Sequence, residues 1–154
     1  MGFSDKMRDS LGAEGARIEV DVPSEPTPAG GRCRAVVGVV GGNKDSHVDG
    51  FAARLVQAAR TWTDASGQPV SEQAAMAADD RSSLQPSWTR TTVHEWTVRV
   101  DRPVPAGERV DVDLAFDVPE GAAASGPALN YTLLVQADIK GQIDPTGTAK
   151  VPVR

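Results

Sequence analysis

The sequence has very few of the side chains from which metal centres and active sites are built. Its 154 residues include one cysteine, two histidines and one tyrosine, and aromatic residues make up only 5%. A lone cysteine excludes an intrachain disulfide and suits a reducing compartment, and a zinc site would have to recruit carboxylates, which is uncommon. His47 and His94 share no ligand spacing, so we expect His47 in a solvated hairpin and His94 at a strand edge. We predict no metal, no cofactor and no catalytic residues.

Long apolar runs and clusters of basic residues are also missing. No segment approaches the roughly 20 apolar residues that cross a bilayer, and the opening MGFSDKMRDS lacks the apolar run of a secretory signal. The net charge of −5 opposes nonspecific attraction to phosphate backbones and to anionic lipid surfaces. We therefore predict a cytoplasmic protein that neither inserts into membranes nor binds nucleic acid.

Three further features carry weak chemical signals, and each has a structural explanation. Cys33 lies in an apolar stretch, which predicts a buried, unreactive thiol. Gly38 and the glycines at 41–42 open no helix and lack the Lys-Ser/Thr ending of a phosphate-binding loop. Asp144 precedes a proline, where an aspartate ordinarily bonds to its own backbone in a turn. For Asp138 we expect a local ion pair or a hydrogen bond that fixes the loop.

Alternation of apolar and polar residues with a period of two dominates what is present. It predicts about seven strands, at 17–22, 33–40, 48–59, 93–100, 109–116, 131–139 and 149–153. The last two strands are expected to flank an Asp144-Pro-Thr-Gly turn, and the sixth to point five residues inward: Tyr131, Leu133, Val135, Ala137 and Ile139. Because no helix-length segments separate the strands regularly, the pattern indicates one all-β domain over 1–154, an antiparallel sandwich.

The start of the chain departs from this pattern. Phe3, Met7 and Leu11 recur at helical spacing, which predicts a short helix over 4–11 within a helical lead-in over 1–12. A helix of this length is not stable alone in water. It must dock on the rest of the domain or on a partner.

Residues 61–87 form the second departure and predict a long surface loop with a candidate short helix at 71–78. Trp62 and Trp88 flank this loop. They either clamp its two ends together or form a partner-binding spot. The candidate partner-binding residues of the whole chain are Phe3, Met7, Trp62 and Trp88.

Several phrases in order along the chain resemble the bacterial sporulation-control protein M family. They are GFSDK at 2–6 with LG at 11–12, ARIEV at 16–20, VDGFAARLV at 48–56, VRVDRPVPAGE at 98–108, and LLVQADIK at 133–140 with IDP at 143–145. The resemblance implies an arrestin-like fold and a regulatory role without an established enzymatic activity. Family members typically continue into a second arrestin-like lobe, so this chain resembles the N-terminal lobe only.

These observations favour a non-enzymatic cytoplasmic regulatory or scaffold protein that binds another protein. An exposed sheet edge would accept a partner's strand through backbone hydrogen bonds, and the same edge would allow a homodimer. The alternative is a β-sandwich that binds a small molecule or carbohydrate, with Trp62 and Trp88 as a stacking platform.

Overall fold

The computed structural model describes residues 15–154, and the helix expected over 4–11, with Phe3 and Met7, lies outside the described residues. Residues 15–154 form eight strands and one short helix, which we number in chain order. They are β1 (Arg17–Asp21), β2 (Arg32–Val40), β3 (Ser46–Thr63), β4 (Pro69–Val70), α1 (Glu72–Ala77), β5 (Gln85–Val104), β6 (Arg109–Asp117), β7 (Leu129–Ile139) and β8 (Thr146–Lys150).

The strands make two antiparallel sheets. One has three strands in the order β1-β2-β6, and the other has five strands with β3 at its centre. β5 pairs with one side of β3, while β7 and the two-residue β4 pair with its other side, and β8 follows β7. The predicted all-β antiparallel sandwich is confirmed, and the eighth strand is the short β4.

The core lies between the inner faces of the two sheets, and β7 shows how the sequence builds it. The five residues predicted to face inward are all buried: Tyr131, Leu133, Val135, Ala137 and Ile139. The buried Tyr131 hydroxyl donates a hydrogen bond to the carbonyl of Ala123 at 2.7 Å. Cys33 is buried on β2 as predicted, and burial raises the pKa of its thiol. No helix among the described residues is long and apolar enough to span a membrane.

The hairpin that closes the fold corrects the predicted turn. The chain reverses at 140–142, where Gly141 has a φ of 83°, and β8 already begins at Thr146. Asp144 therefore does not sit at the tip of a turn. Its carboxylate accepts a hydrogen bond from the backbone N–H of Ile139 at 3.1 Å and so holds the end of β7 from outside the ladder.

The predicted loop over 61–87 is partly built from strands. β3 continues to Thr63 and β5 begins at Gln85, and both β4 and α1 lie between them. Ser71 caps α1, because its hydroxyl accepts a hydrogen bond from the Ala74 N–H at 3.1 Å. The alternation of the long hairpin continues past the sandwich, and α1 covers one face of that extension through the fully buried Ala75.

Candidate functional site

One outer edge of the five-stranded sheet is formed by β5, the longest strand of the described chain. Among residues 15–154, β5 pairs only with β3, although it is 20 residues long. An outer strand presents a row of backbone N–H and C=O groups to solvent, which makes it a template for an added strand. Only alternate residues of β5 present these groups to solvent.

Hydrogen bonds on the far side of β3 show which residues these are at the end of the hairpin. The Arg60 N–H donates to the Ala128 carbonyl at 2.8 Å, so the backbone of Arg60 points away from β5. Arg60 is opposite Trp88, and in an antiparallel pair both residues then point away from each other. The N–H and C=O of Trp88 therefore face outward, and by the period of two so do those of Arg90.

Two irregularities in the β3–β5 register divide this edge. One lies between Leu55 and Val56 and the other between Val48 and Gly50, and each leaves an extra residue on β5. We call 86–92 the distal edge segment and 94–100 the central edge segment. A β-bulge bends the strand and interrupts the ladder, so each segment is a regular stretch of its own.

The second bulge is held by a polar contact. Asp101 has a φ of 50°, a left-handed conformation that aspartate tolerates better than most residues. His47 Nε2 donates to its carboxylate at 2.7 Å, and Arg99 approaches the other carboxylate oxygen at 4.0 Å. His47 is exposed on β3, so the sequence placed it correctly in a solvated position.

An exposed apolar patch lies on the outer face beside the distal edge segment. Trp88 is 47% exposed and Met76 of α1 is 42% exposed. Arg60 joins them, because it is the cross-strand neighbour of Trp88 and its guanidinium lies 3.9 Å from the Met76 sulfur. We call Trp88, Met76 and Arg60 the tip patch.

A polar cluster beneath the tip patch fixes α1 to β3. Both carboxylate oxygens of Glu72 accept hydrogen bonds from Arg60, one of them from Nε at 3.1 Å. The Trp62 indole N–H also donates to Glu72, at 2.6 Å, and the Arg60 guanidinium lies 5.2 Å from the centroid of the Trp62 ring. The bonds from Arg60 and then from Trp62 lower the pKa of the Glu72 carboxyl. The Glu72 carboxyl is thus ionised at neutral pH and accepts hydrogen bonds from both Arg60 and Trp62.

The two tryptophans flanking the predicted loop therefore have different environments. Trp62 is 8% exposed and anchors α1 through Glu72. Trp88 lies on the same face of the hairpin but is open to solvent. Sequence reasoning missed Glu72 and Met76 because their contacts with β3 depend on how the hairpin folds back. The alanine-rich stretch at 71–78 was the local signal for α1.

The charged residues around Arg109 on the three-stranded sheet pair with one another and stabilise the sheet. Arg109 forms ion pairs with Glu19, with Asp21 at 3.0 Å and with Asp111 at 2.8 Å. These contacts tie β1 to β6 across β2, and the side-chain bond to Asp111 is the main cause that raises the pKa of Arg109. A Cβ atom at Gly38 would overlap the Arg109 guanidinium. Asp111 and Asp113 point to solvent, as the alternation predicts.

A shallow groove of about 400 Å³ lies where β1 ends beside β7 and β8. Its lining is mostly backbone and apolar atoms from Val22, Pro23, Ser24, Ser125, Asn130, Tyr131, Lys150, Val151 and Pro152. Three of the polar side chains in it have partners within the protein, since Lys150 Nζ donates to Asn130 at 3.1 Å and Ser125 Oγ accepts from the Val153 N–H at 2.9 Å. Nothing in this arrangement selects a particular small molecule.

Two of the sequence-predicted polar residues stand apart from these sites. Asp138 is exposed on β7, and within the described part of the chain no hydrogen bond or ion pair to it is found, so the expected local partner is not seen. His94 lies on the outer strand β5, as expected, with its ring stacked on Trp96 at 4.5 Å between centroids.

Comparisons with known proteins agree with this architecture. A family model described as SpoOM protein matches residues 4–154. Among solved structures, the chain is similar to Spo0M, a sporulation control protein from Bacillus subtilis, with 16% identity and a TM-score of 0.65 over 91% of this chain and 49% of that one. The chain thus spans about half the length of that relative. At this identity the likeness shows the shared arrestin-like sandwich and nothing more.

A second solved structure is more distant. It is the CARDB domain of a Pyrococcus furiosus protein in complex with di-metal ions, with 13% identity and a TM-score of 0.41 over 90% of this chain and 87% of that one. This likeness carries no argument here. No curated protein matches the chain.

Proposed function

This chain belongs to the SpoOM protein family, and on that premise we propose that it is a cytoplasmic regulatory protein that acts by binding another protein, without enzymatic activity. The process is the control of sporulation, which the name of the Bacillus subtilis relative suggests. The partner supplies an extended segment that adds to β5 at the distal edge segment. The observation that carries this proposal is the exposed Trp88, whose backbone and side chain are both open to a partner.

Strand addition needs two things that this edge offers together. The outward N–H and C=O groups of Trp88 and Arg90 supply main-chain hydrogen bonds, which give affinity for any extended peptide. The tip patch supplies selectivity, because an apolar side chain of the partner would pack on Trp88 and Met76. Exposed tryptophan is enriched among the residues that dominate binding energy at interfaces.

The chemistry of the shifted carboxylates supports a role without catalysis. Perturbed pKa values often mark active sites, but here each one has a local structural cause. The pKa of Asp64 is lowered by the Ser66 hydroxyl and by backbone N–H groups of its turn, and that of Asp80 is lowered by the N–H and hydroxyl of Ser82. Glu72 holds α1. These carboxylates are occupied in holding turns and a helix.

The small-molecule alternative gains no support from the tryptophans. A stacking platform needs two accessible rings, and Trp62 is buried with its N–H already bonded to Glu72. Trp88 alone offers an open ring face.

The test compares proteins captured by the full chain from a lysate of its native cell. Trp88→Ala removes the anchor, and Arg90→Pro removes an outward N–H without breaking the ladder to β3. We expect each variant to lose most of the wild-type capture of the same identified protein. Thr148→Pro is the matched control, because it places the same substitution at an exposed site on β8, the opposite outer strand.

Hydrogen exchange on the purified complex then locates the contact. The Trp88 and Arg90 amides should exchange quickly in the free chain and become protected when the captured protein binds. Undiminished capture by both variants, or protection elsewhere with none at these two amides, would contradict the proposal.

A further inference from the structure

The central edge segment presents a different set of backbone groups. On the far side of the sheet, the Ala137 N–H donates to the Pro145 carbonyl and the Val151 N–H donates to the Tyr131 carbonyl, both at 3.0 Å. The backbone N–H and C=O groups of alternate β7 residues, among them Val135, therefore point toward β8. Ala53 of β3 is opposite Val135, so its own backbone groups point away from β7 and toward β5. Ala53 is opposite Trp96, so Trp96 is bonded to β3.

The neighbours of Trp96 on either side must point the other way. The backbone groups of Glu95, Thr97 and Arg99 therefore face outward, and their side chains lie on the solvent face of the sheet, where all three are exposed. These residues carry a negative charge, a neutral hydroxyl and a positive charge at equal spacing.

This order of charges is complementary to itself. When two copies of the segment run antiparallel about a twofold axis at Thr97, Glu95 of each copy is directly opposite Arg99 of the other. Side chains directly opposite in such a pair are about 5 Å apart at Cβ, and opposite charges there are favourable. Thr97 meets its own copy, and the outward groups of the three residues make about six backbone hydrogen bonds.

Other registers are disfavoured by the same charges. If the axis moves two residues along the strand, Glu95 meets Glu95 or Arg99 meets Arg99, and like charges directly opposite are destabilising. Charges on an outer strand commonly prevent sheets from joining. Here the two opposite charges at equal distance from Thr97 favour the register centred on that residue over both of these shifted registers.

The bulges limit the length of this pairing. Between them β5 pairs regularly with β3 from His94 to Arg99. Glu95, Thr97 and Arg99 therefore all lie in one regular stretch, and the pairing of two copies ends where β5 bends.

The inner face of the same segment supplies apolar surface to cover. Trp96, Val98 and Val100 pack against the core but remain only partly buried. They lie at the seam where β5 and β6 are the outer strands of the two sheets. In the register centred on Thr97, Trp96 of each copy is opposite Val98 of the other. Burial of this surface provides the hydrophobic part of the association energy.

From these observations we propose that two copies of this chain join through the central edge segment of β5, in antiparallel register about Thr97, and form one continuous sheet across the dimer. The interface is isologous, as a twofold dimer requires. It goes beyond the proposed partner binding, which uses the distal edge segment and the tip patch.

The register is tested by exchanging its two charges in the full chain. Glu95→Arg places arginine against arginine, and Arg99→Glu places glutamate against glutamate, so each variant should dimerise at least about tenfold more weakly than the wild type. A mixture of the two variants restores both opposite pairs and should give a heterodimer. The doubly substituted E95R/R99E chain should dimerise again by itself. Sedimentation velocity from about 5 to 200 µM measures each association constant.

Two further variants separate this interface from a general loss of folding. Thr97→Pro removes the outward N–H at the axis and should give a folded monomer. Arg34→Glu, an equal charge reversal exposed on β2, should leave the dimer intact. Circular dichroism checks the fold of each variant.

The outcomes decide the proposal. A wild-type chain that stays monomeric over the whole range overturns it, and so does a mixture of E95R and R99E that stays monomeric while the wild type dimerises. Loss of the dimer in Trp88→Ala would place the interface at the tip patch and also overturn it. If the Trp88→Ala variant dimerises normally but no longer captures the partner protein, the dimer contact and the partner contact are separate, as proposed.

Discussion

Leu133→Ala tests the sandwich that every other inference depends on. Leu133 is fully buried on the inner face of β7, opposite Leu55 of β3 and Ala149 of β8. At about 0.8 kcal/mol for each buried carbon that is lost, the transfer term alone is about 2.4 kcal/mol. The neighbours are held in ladders on both sides and cannot collapse fully, so a cavity term brings the expected loss to about 2.7–5 kcal/mol.

Leu134 is the matched control for this change. It is the next residue on the same strand, has the same chemistry, and lies half-buried on the outer face opposite Arg54. Urea unfolding followed by tryptophan fluorescence gives the free energy of unfolding for both variants. We expect Leu134→Ala to cost less than about 1 kcal/mol, with both m-values equal to that of the wild type. A loss below about 0.5 kcal/mol for Leu133→Ala, or equal losses for the two, would mean that the faces are assigned the wrong way round.

Two other predictions concern the charged clusters. The pKa of the Glu72 carboxyl is lowered in the folded chain, so its contribution to the free energy of unfolding is fully present above the ordinary glutamate pKa of 4.5. That contribution is lost as the pH falls through the lower folded value. Thermal unfolding should therefore show a fall in Tm below about pH 4.5, and the fall should be shallower in Glu72→Gln. Gly38→Ala displaces the guanidinium of Arg109 from the sheet. In a double-mutant cycle with Arg109→Ala, the second substitution should therefore lower the free energy of unfolding by almost nothing once the first is made. Additive losses would show that Gly38 and Arg109 act independently.

Sequence reasoning predicted the strands well because one face of each sheet is exposed to solvent. On β6, for example, exposed Arg109, Asp111 and Asp113 alternate with apolar residues, and that alternation is a local property that survives without any knowledge of the partner strand. The inward face of β7 follows from the same argument, while the burial of Cys33 follows from the apolar stretch in which it lies. The helix α1 was visible only as an alanine-rich stretch.

The features that the sequence did not predict depend on pairing between distant segments. The turn at 140–142 was misplaced because Asp144-Pro145 is itself a strong turn signal, yet the register of β7 with β8 puts Thr146 already in the ladder. The bulges on β5 are equally hidden, since each is defined only by counting residues against β3. Which backbone groups face outward then follows from bonds on the opposite side of the sheet.

The bulge between the two edge segments explains how one outer strand can offer two separate contacts. It inserts one residue into β5, so the even-numbered Trp88 and Arg90 point outward on one side of it, and the odd-numbered Glu95 and Thr97 point outward on the other. A regular added strand that pairs with the distal edge segment would therefore meet inward-facing groups if it continued along the central one. A partner strand must stop at the bulge, and so must the second copy of the chain. In this chemically sparse sequence, the selectivity of the edge thus comes from the backbone as much as from the few side chains that mark its ends.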